Sequence, residues 1–404
     1  YGHGVAAVVN RENSLFGEGW GLSNLPGLSI DDLHNRVVLD WGTGDSRLFQ
    51  GNFVGSYTSM SEDYGQLWRA YDGTFTYTNK QKTTYFFNSF GQPLSVRDRR
   101  GQEWGYAYDG SNRLAALVAP DGGLTSFEYD GANNVTMIHQ PGERDVDLAV
   151  AEVSLGHFEL IQVADVGTGD DLSLFYQNSR FLTGRTWTDT THAFSTEYAY
   201  NPSTGLVEGI DWGIVPAAGA SIWEIDSAAE VALSETALLF GSALVTDPNG
   251  QITTSLFDVD GRLLGLLNPM GGTQSFLREP GTGEVLLAKD ALENKTVYQY
   301  DPTFFGRGDL LAVQHPDQGL EVYQYEEVYH LPKRAGAPTG ALTQTDRNPL
   351  GDPRLILEPH GRTTKMVWGN GLLQTLIDPN QHSTNYHYDA SRRLLATTKA
   401  DATR

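Results

Sequence analysis

Apolar and polar residues alternate with a period of two in short runs along most of this chain. In Thr125-Ser126-Phe127-Glu128-Tyr129 the residues Thr125, Phe127 and Tyr129 share one face, and Thr384-Asn385-Tyr386-His387-Tyr388 repeats the arrangement. Successive side chains of an extended strand point to opposite faces, so the alternation predicts strands with one packed and one wet face. Turn-forming clusters bound the runs: Pro120-Asp121-Gly122, Asp247-Pro248-Asn249-Gly250, Asn268-Pro269-Met270-Gly271 and Asp378-Pro379-Asn380. Proline presets φ there, and Asn-Gly supplies the positive φ that hairpin turns need. Short strands joined by tight turns predict an all-β chain, a long antiparallel hairpin ribbon.

The pattern recurs. Phe87-Asn88, Tyr108-Asp109 and Tyr129-Asp130 fall 21 residues apart, each followed by a Gly- or Asn-centred turn and an apolar strand. A second series begins at Phe257-Asp258, with Gly261-Arg262-Leu263 behind it. Its aromatic position then falls to Leu277, to Tyr300 of Tyr300-Asp301, and to Tyr325, at intervals of 20, 23 and 25. Trp368 and Tyr388 stand 20 apart, and Tyr388-Asp389 leads into Arg393-Leu394. Two strands and two turns fill about 20 residues. Self-similarity at that period marks tandem repeats rather than a string of unrelated domains. The chain divides into an opening unit rich in Gly and Trp over 1–75, repeats over 76–141, irregular or degenerate repeats with an insertion over 142–245, and repeats over 246–404 that end in mid-repeat. Within the third part, 216–245 is dominated by Ala, Leu and Glu, which favours a helix.

Composition narrows the function. The 404 residues are 39% hydrophobic and 11% aromatic, enough for a sizeable core. The formal charge of −22 repels phosphate backbones and argues against nucleic acid as a partner. There is no cysteine, which excludes disulfides, thiolate zinc sites and cysteine nucleophiles. No run approaches the roughly 18 apolar residues of a membrane helix, so no membrane span is expected. The first residues lack the basic flank and apolar core of a signal peptide, and the sequence reads as a segment of something longer.

Candidate chemistry is sparse. No phosphate-binding glycine loop, His-Glu-x-x-His helix or Gly-x-Ser-x-Gly elbow occurs. The ten histidines are scattered, and His382 and His387, five apart in a strand, would point to opposite faces. Asp258-Val259-Asp260-Gly261 and Asp165-Val166-Gly167-Thr168-Gly169-Asp170-Asp171 faintly resemble calcium loops, but tight turns use the same residues. Asp109, Asp130, Asp258, Asp301 and Asp389 recur once per unit, as structural positions do and catalytic ones do not. The same argument assigns Phe87, Tyr108, Tyr129, Phe257, Tyr300, Tyr325, Trp368 and Tyr388 to wall packing rather than to a ligand. Catalytic, metal and cofactor assignments are therefore none. Exposed members of Trp41, Trp68, Trp104, Trp187, Trp212, Trp223 and Trp368 would be the better ligand candidates.

These residues carry a resemblance. Tyr108-Asp109 through Gly122, Tyr129-Asp130, Phe257-Asp258 with Gly261-Arg262-Leu263, Tyr300-Asp301 and Tyr388-Asp389 resemble the rearrangement-hotspot (Rhs), or YD-repeat, family of polymorphic-toxin shells, insecticidal toxin-complex cocoons and teneurin shells. Phe16-Gly17-Glu18-Gly19-Trp20-Gly21-Leu22 looks like the Gly-x-Gly-Trp segment that precedes the first repeats. The resemblance covers about three quarters of the chain. It implies a β-ribbon spiralling into a shell, a bacterial chain that is secreted or on the cell surface, and a partner polypeptide enclosed by the wall, such as a C-terminal toxin. No residue here matches the aspartyl self-cleavage site of toxin-releasing members. Open sheet edges would also allow self-association. The leading expectation is a non-catalytic shell or scaffold; the alternative is an adhesion module that binds glycan or protein through its outer face.

Overall fold

The computed structural model describes residues 14–400 apart from 24, 43–45, 53–54, 60–63, 178–180, 204, 215–220, 227–240, 259–260, 304–307 and 391. The described residues form 34 strands, from Gly27–Asp31 to Leu394–Ala400, and no α-helix; a single 3-10 turn lies at Pro359–Gly361. Every pairing is antiparallel and joins a strand to its neighbour in sequence, as between Leu124–Tyr129 and Val135–Gln140 and between Val135–Gln140 and Arg144–Ser154. The sheet is one open meander.

One loop design builds most of its corners. In the turn after Tyr129, Asp130 N donates to Asn134 O at 2.9 Å and Asn133 N donates back to Asp130 O at 3.2 Å. Asn133 takes φ 74°, as Asn112 takes 64° and Gly261 74° one position short of the loop's end. This is a type I turn closed by a left-handed residue and a bulge, which only Gly and Asn adopt at little cost. The register shifts where the strand meets this turn, at Tyr129, Phe257, Tyr300, Tyr325, Trp368 and Tyr388. Such bulges bend and twist a strand, and repeated on one side of the ribbon they make it coil.

Two cores result. The first holds Leu28, Val37, Leu39, Phe49, Tyr57, Leu67, Phe75, Tyr77 and Phe87, so it crosses the boundary the sequence draws at 75. The opening strands curl until Leu28 N reaches Gly91 O at 2.9 Å. The second holds Leu114, Phe127, Val135, Ile138, Leu148, Leu160 and Leu174, with Leu15, Phe16, Trp20, Leu22 and Leu25 packed on it.

Two expectations change. Residues 142–172, without rhythm in sequence, contain the two longest described strands, Arg144–Ser154 and His157–Asp165. The helix expected over 216–245 is replaced by strands at Ser221–Asp226 and Gly241–Thr246; 215–220 and 227–240 lie outside the described residues. The unpaired ladders of Val207–Ile214 and Ile252–Phe257 offer those segments backbone partners, and they outweigh a weak helical propensity.

The ribbon also winds back on itself. Hairpin ends between Tyr64 and Arg100 touch hairpin ends between Glu284 and Gly371, through Tyr64–Glu284, Lys80–Asp309 and Arg100–Asp352.

Candidate functional site

The recurring aromatic is a hydrogen-bond donor as well as a packing group. Tyr108 OH donates to Pro93 O at 2.9 Å, Tyr129 OH to Leu114 O at 2.6 Å, Tyr325 OH to Leu310 O at 3.0 Å, Trp368 Nε1 to Pro353 O at 2.7 Å and Tyr388 OH to Leu373 O at 2.9 Å. The acceptor is 15 residues back each time, on the strand that opens the preceding hairpin. Each unit thus ties itself to the one before. Phe87 is fully buried; Phe257 and Tyr300 are half-buried at the same strand end. Burial raises the phenols: Tyr129 and Tyr176 are each pushed up to about 12, and Tyr108 rises as well. The Arg113 guanidinium lies 4.4 Å over the Tyr129 ring.

The paired acid closes the turn. Asp109 Oδ1 accepts from the backbone N–H groups of Ser111 and Arg113, and its Oδ2 from Arg113 Nε at 2.8 Å. Those bonds, the Arg113 N–H foremost, hold its carboxyl below the ordinary range. Asp130 does the same with Ala132 and Asn134; burial pulls its pKa up, but the Asn134 bonds prevail and it lies low. Asp258 and Asp389 accept from Arg262 and Arg393, and Asp301 from Thr303 N. Each predicted site residue therefore sits in its own unit, and none converges with another on a common centre.

The sequence missed several members. The slot it gave to Leu277 belongs to Arg278: Leu277 is exposed, while Arg278 Nε donates to Leu263 O at 3.0 Å, again 15 residues back. Arg347 does the same to Pro332 O at 3.0 Å. A cation can replace the phenol because the slot asks for a long side chain ending in a donor. Tyr176 and Tyr200 carry the ladder through the irregular region, to Leu160 O and Leu182 O at 2.7 Å each. Counting from the turns rather than from aromatics would have found them: Glu279, Asn348 and Asn201 follow Arg278, Arg347 and Tyr200 in the acid's place.

The Gly-Trp segment is a strap across the second core. Leu15 O accepts from Val135 N at 2.7 Å, Glu18 N donates to Phe158 O at 2.7 Å, and Trp20 Nε1 donates to Tyr176 OH at 2.7 Å. Gly17 has φ +91°, and a Cβ there would lie 2.5 Å from Leu160 N, so only glycine lets the strap lie this close. Beneath it Glu159 is buried, its Oε1 without a partner, and burial and the neighbouring Glu18 raise its pKa. Glu18 is itself bonded to His157 at 2.7 Å. Glu159 lies under the strap and Glu18 is part of it, and neither lines the surface pockets bounded by Thr339–Gly361, Gly369–Arg392 or Leu15–Leu114.

Other candidates resolve into local structure. Asp165 Oδ1 accepts from Gly167 N and Thr168 N, which makes its loop a turn; of the second calcium-like loop, 259–260 lie outside the described residues. No cluster of three or more His, Asp or Glu suited to a metal occurs among the described residues. His382 lies in a turn on Asp378, and His387 on a strand beside Thr398. Trp68, Trp104, Trp187 and Trp212 are exposed, whereas Trp41 and Trp368 are half-buried. Trp187 meets Phe194 with ring centres 5.7 Å apart, and Trp212 meets Trp223 at 5.8 Å.

Comparison with known proteins agrees with this architecture. Residues 87–124 match the RHS Repeat family model. No curated protein matches the chain. Among solved structures, a Tc holotoxin pore of Photorhabdus luminescens with a TccC3 mutation shares the fold at TM-score 0.51 and 10% identity, over 94% of this chain and 24% of that one. A TcdB2-TccC3 structure without the hypervariable C-terminal region gives 0.52 and 11%, over 94% and 24%; TcdB2-TccC3-Cdc42 gives 0.52 and 11%, over 94% and 25%. The chain thus spans about a quarter of the length of those it matches. It carries an RHS repeat over 87–124, and its ladder of donors and its meandering sheet extend a repeat architecture whose fold is shared with these toxin-complex structures.

Proposed function

We propose that this chain is a length of non-catalytic wall in a secreted bacterial shell that encloses or displays another polypeptide, such as a toxin carried by a longer chain. The observation that carries the reading is the winding of a single antiparallel meander, 34 strands among the described residues, past itself, with hairpin ends of one lap against those of another. A sheet that coils in this way uses its own turns as borders, and separates what lies on its two faces. The chains of similar fold in the Tc holotoxin and TcdB2-TccC3 structures support a polypeptide partner. Intact mass of the longest natural chain containing this segment, native and then denaturing, tests the proposal. A separate polypeptide retained natively and lost on denaturation is the expected result; a single uncut chain retaining nothing overturns it.

A second reading, surface adhesion, draws on the exposed pair Trp187–Phe194 and on exposed Trp212, which packs on half-buried Trp223, since an exposed aromatic patch marks a contact surface. Glycan-array or cell binding that is lost in Trp212→Ala with an unchanged melting temperature would put adhesion first.

A further inference from the structure

We propose that the charged seam between the two laps is the line along which this wall opens, as a unit, while the sheet within each lap stays intact. The seam goes beyond the shell reading: it rests on the winding of the ribbon and not on what the wall encloses.

Two kinds of cohesion are present. Along the ribbon every strand is tied to the next by backbone hydrogen bonds, as in the register of Phe127 with Ile138 and of Tyr298 with Val313. Across the seam, among the described residues, only side chains reach over. Tyr64 OH donates to Glu284 Oε1 at 2.9 Å. Lys80 Nζ donates to Asp309 Oδ1 at 2.8 Å, and His330 Nδ1 stands 2.8 Å from the other oxygen. Arg99 Nε donates to Leu350 O at 2.8 Å; Arg100 Nε donates to Asp352 Oδ1 at 2.5 Å, with Arg99 Nη2 3.4 Å from the same oxygen.

The groups around Asp309 and Asp352 are largely out of water, with the Arg99 and Arg100 side chains 21% and 27% exposed. The side chain of Asp352 is 0% exposed, that of Asp309 8%, Lys80 14% and His330 12%. Packing leaves no slack: a Cβ on Gly308 would lie 2.5 Å from the Tyr64 ring, and one on Gly351 3.1 Å from Arg99 Nε. A buried ion pair is costly to break halfway, because removing one partner strands the other without solvent. Full separation is different, since water then reaches both charges. The seam is therefore two-state: closed with its pairs made, or open with every charge hydrated. Backbone ladders open at greater cost, because strands pulled apart lose many bonds and their packed side-chain contacts at once, even though water then reaches the freed groups.

Hydrogen–deuterium exchange on the whole 404-residue chain tests this. In the unmodified protein, the turn amides of 79–83, 98–102 and 348–352 should share one opening equilibrium, with strands such as Leu124–Tyr129 exchanging more slowly. In Asp352→Asn the same turns should exchange at least tenfold faster, with Leu124–Tyr129 unchanged. Asp346→Asn, which breaks an exposed pair with Arg354 on the strands flanking the 348–352 turn and not a contact across the seam, should leave both unchanged. Lys80→Met is a milder second variant, and should speed exchange at 98–102 and 348–352 as well as at its own turn. Three unrelated opening equilibria in the unmodified chain, or a Lys80→Met effect confined to 79–83, would overturn the proposal. So would loss of protection in the strands together with the seam.

Discussion

At the scale of single residues, the repeat's two signature positions do separable jobs. The aromatic fills the wall and reaches back to a carbonyl 15 residues upstream; the acid gathers the N–H groups of its own turn. Tyr129→Phe keeps the ring and loses the bond to Leu114 O, so stability should fall by about 0.5–1.5 kcal/mol in urea denaturation. Phe127→Ala empties a buried position, and should cost about 3–5 kcal/mol. Asp130→Ala releases two backbone N–H groups and should cost about 1–2 kcal/mol, comparable to the loss of a helix cap. Asp109→Asn should be nearly neutral by comparison, because Asn88, Asn268 and Asn348 already hold equivalent turns through Oδ1. An Asp109→Asn loss as large as that of Asp130→Ala would mean that charge, not acceptor geometry, is what the turn requires.

At the scale of elements, the strap shows how much of a site a motif can announce. Phe16 to Leu22 stood out in the sequence for its glycines and tryptophan, yet nothing local said what the tryptophan would touch. The structure places Trp20 on Tyr176, 156 residues away, and Gly17 against the backbone of Leu160. Gly17→Ala should lift the strap: the left-handed φ and the 2.5 Å approach both oppose a side chain. The expected readout is faster exchange of the amides of Glu18 and Val135, the two donors the strap engages, with the melting temperature lowered and the far-ultraviolet spectrum unchanged. An unchanged exchange pattern would remove the strap from the account. The misread of Leu277 for Arg278 belongs to this scale too. Period alone shifted the slot by one residue, and in a strand that one step moves a side chain to the opposite face.

At the scale of the whole molecule, the buried phenols act together. The hydroxyls of Tyr108, Tyr129 and Tyr176 are raised chiefly by burial, the last two to about 12, against an ordinary value of 10.0. Above pH 10 the unfolded chain loses phenolic protons that the folded wall retains, so stability falls as pH climbs towards about 12. Below pH 10 these groups are protonated in both states and contribute no slope. The urea midpoint should therefore decline from about pH 10 upward, more steeply in the unmodified chain than in a Tyr129→Phe, Tyr176→Phe double variant. Equal slopes would show that these phenols are not the titrating groups.

What the sequence determined by itself is whatever depends on neighbours along the chain. Alternation within Thr125–Tyr129, the Pro, Gly and Asn turns and the 20- to 25-residue period set the strands, the hairpins and the meander, because each is decided within a few residues of backbone geometry. Only the tertiary structure decided which strands outlast the rhythm, as at Arg144–Asp165 and Ser221–Asp226, where a waiting ladder edge overrides local preference. It also decided where the ribbon meets itself. Lys80 and Asp309, or Arg100 and Asp352, are ordinary turn residues in sequence. They become partners through coiling summed over more than 220 residues of bulges and twist, a distance over which no local pattern carries information.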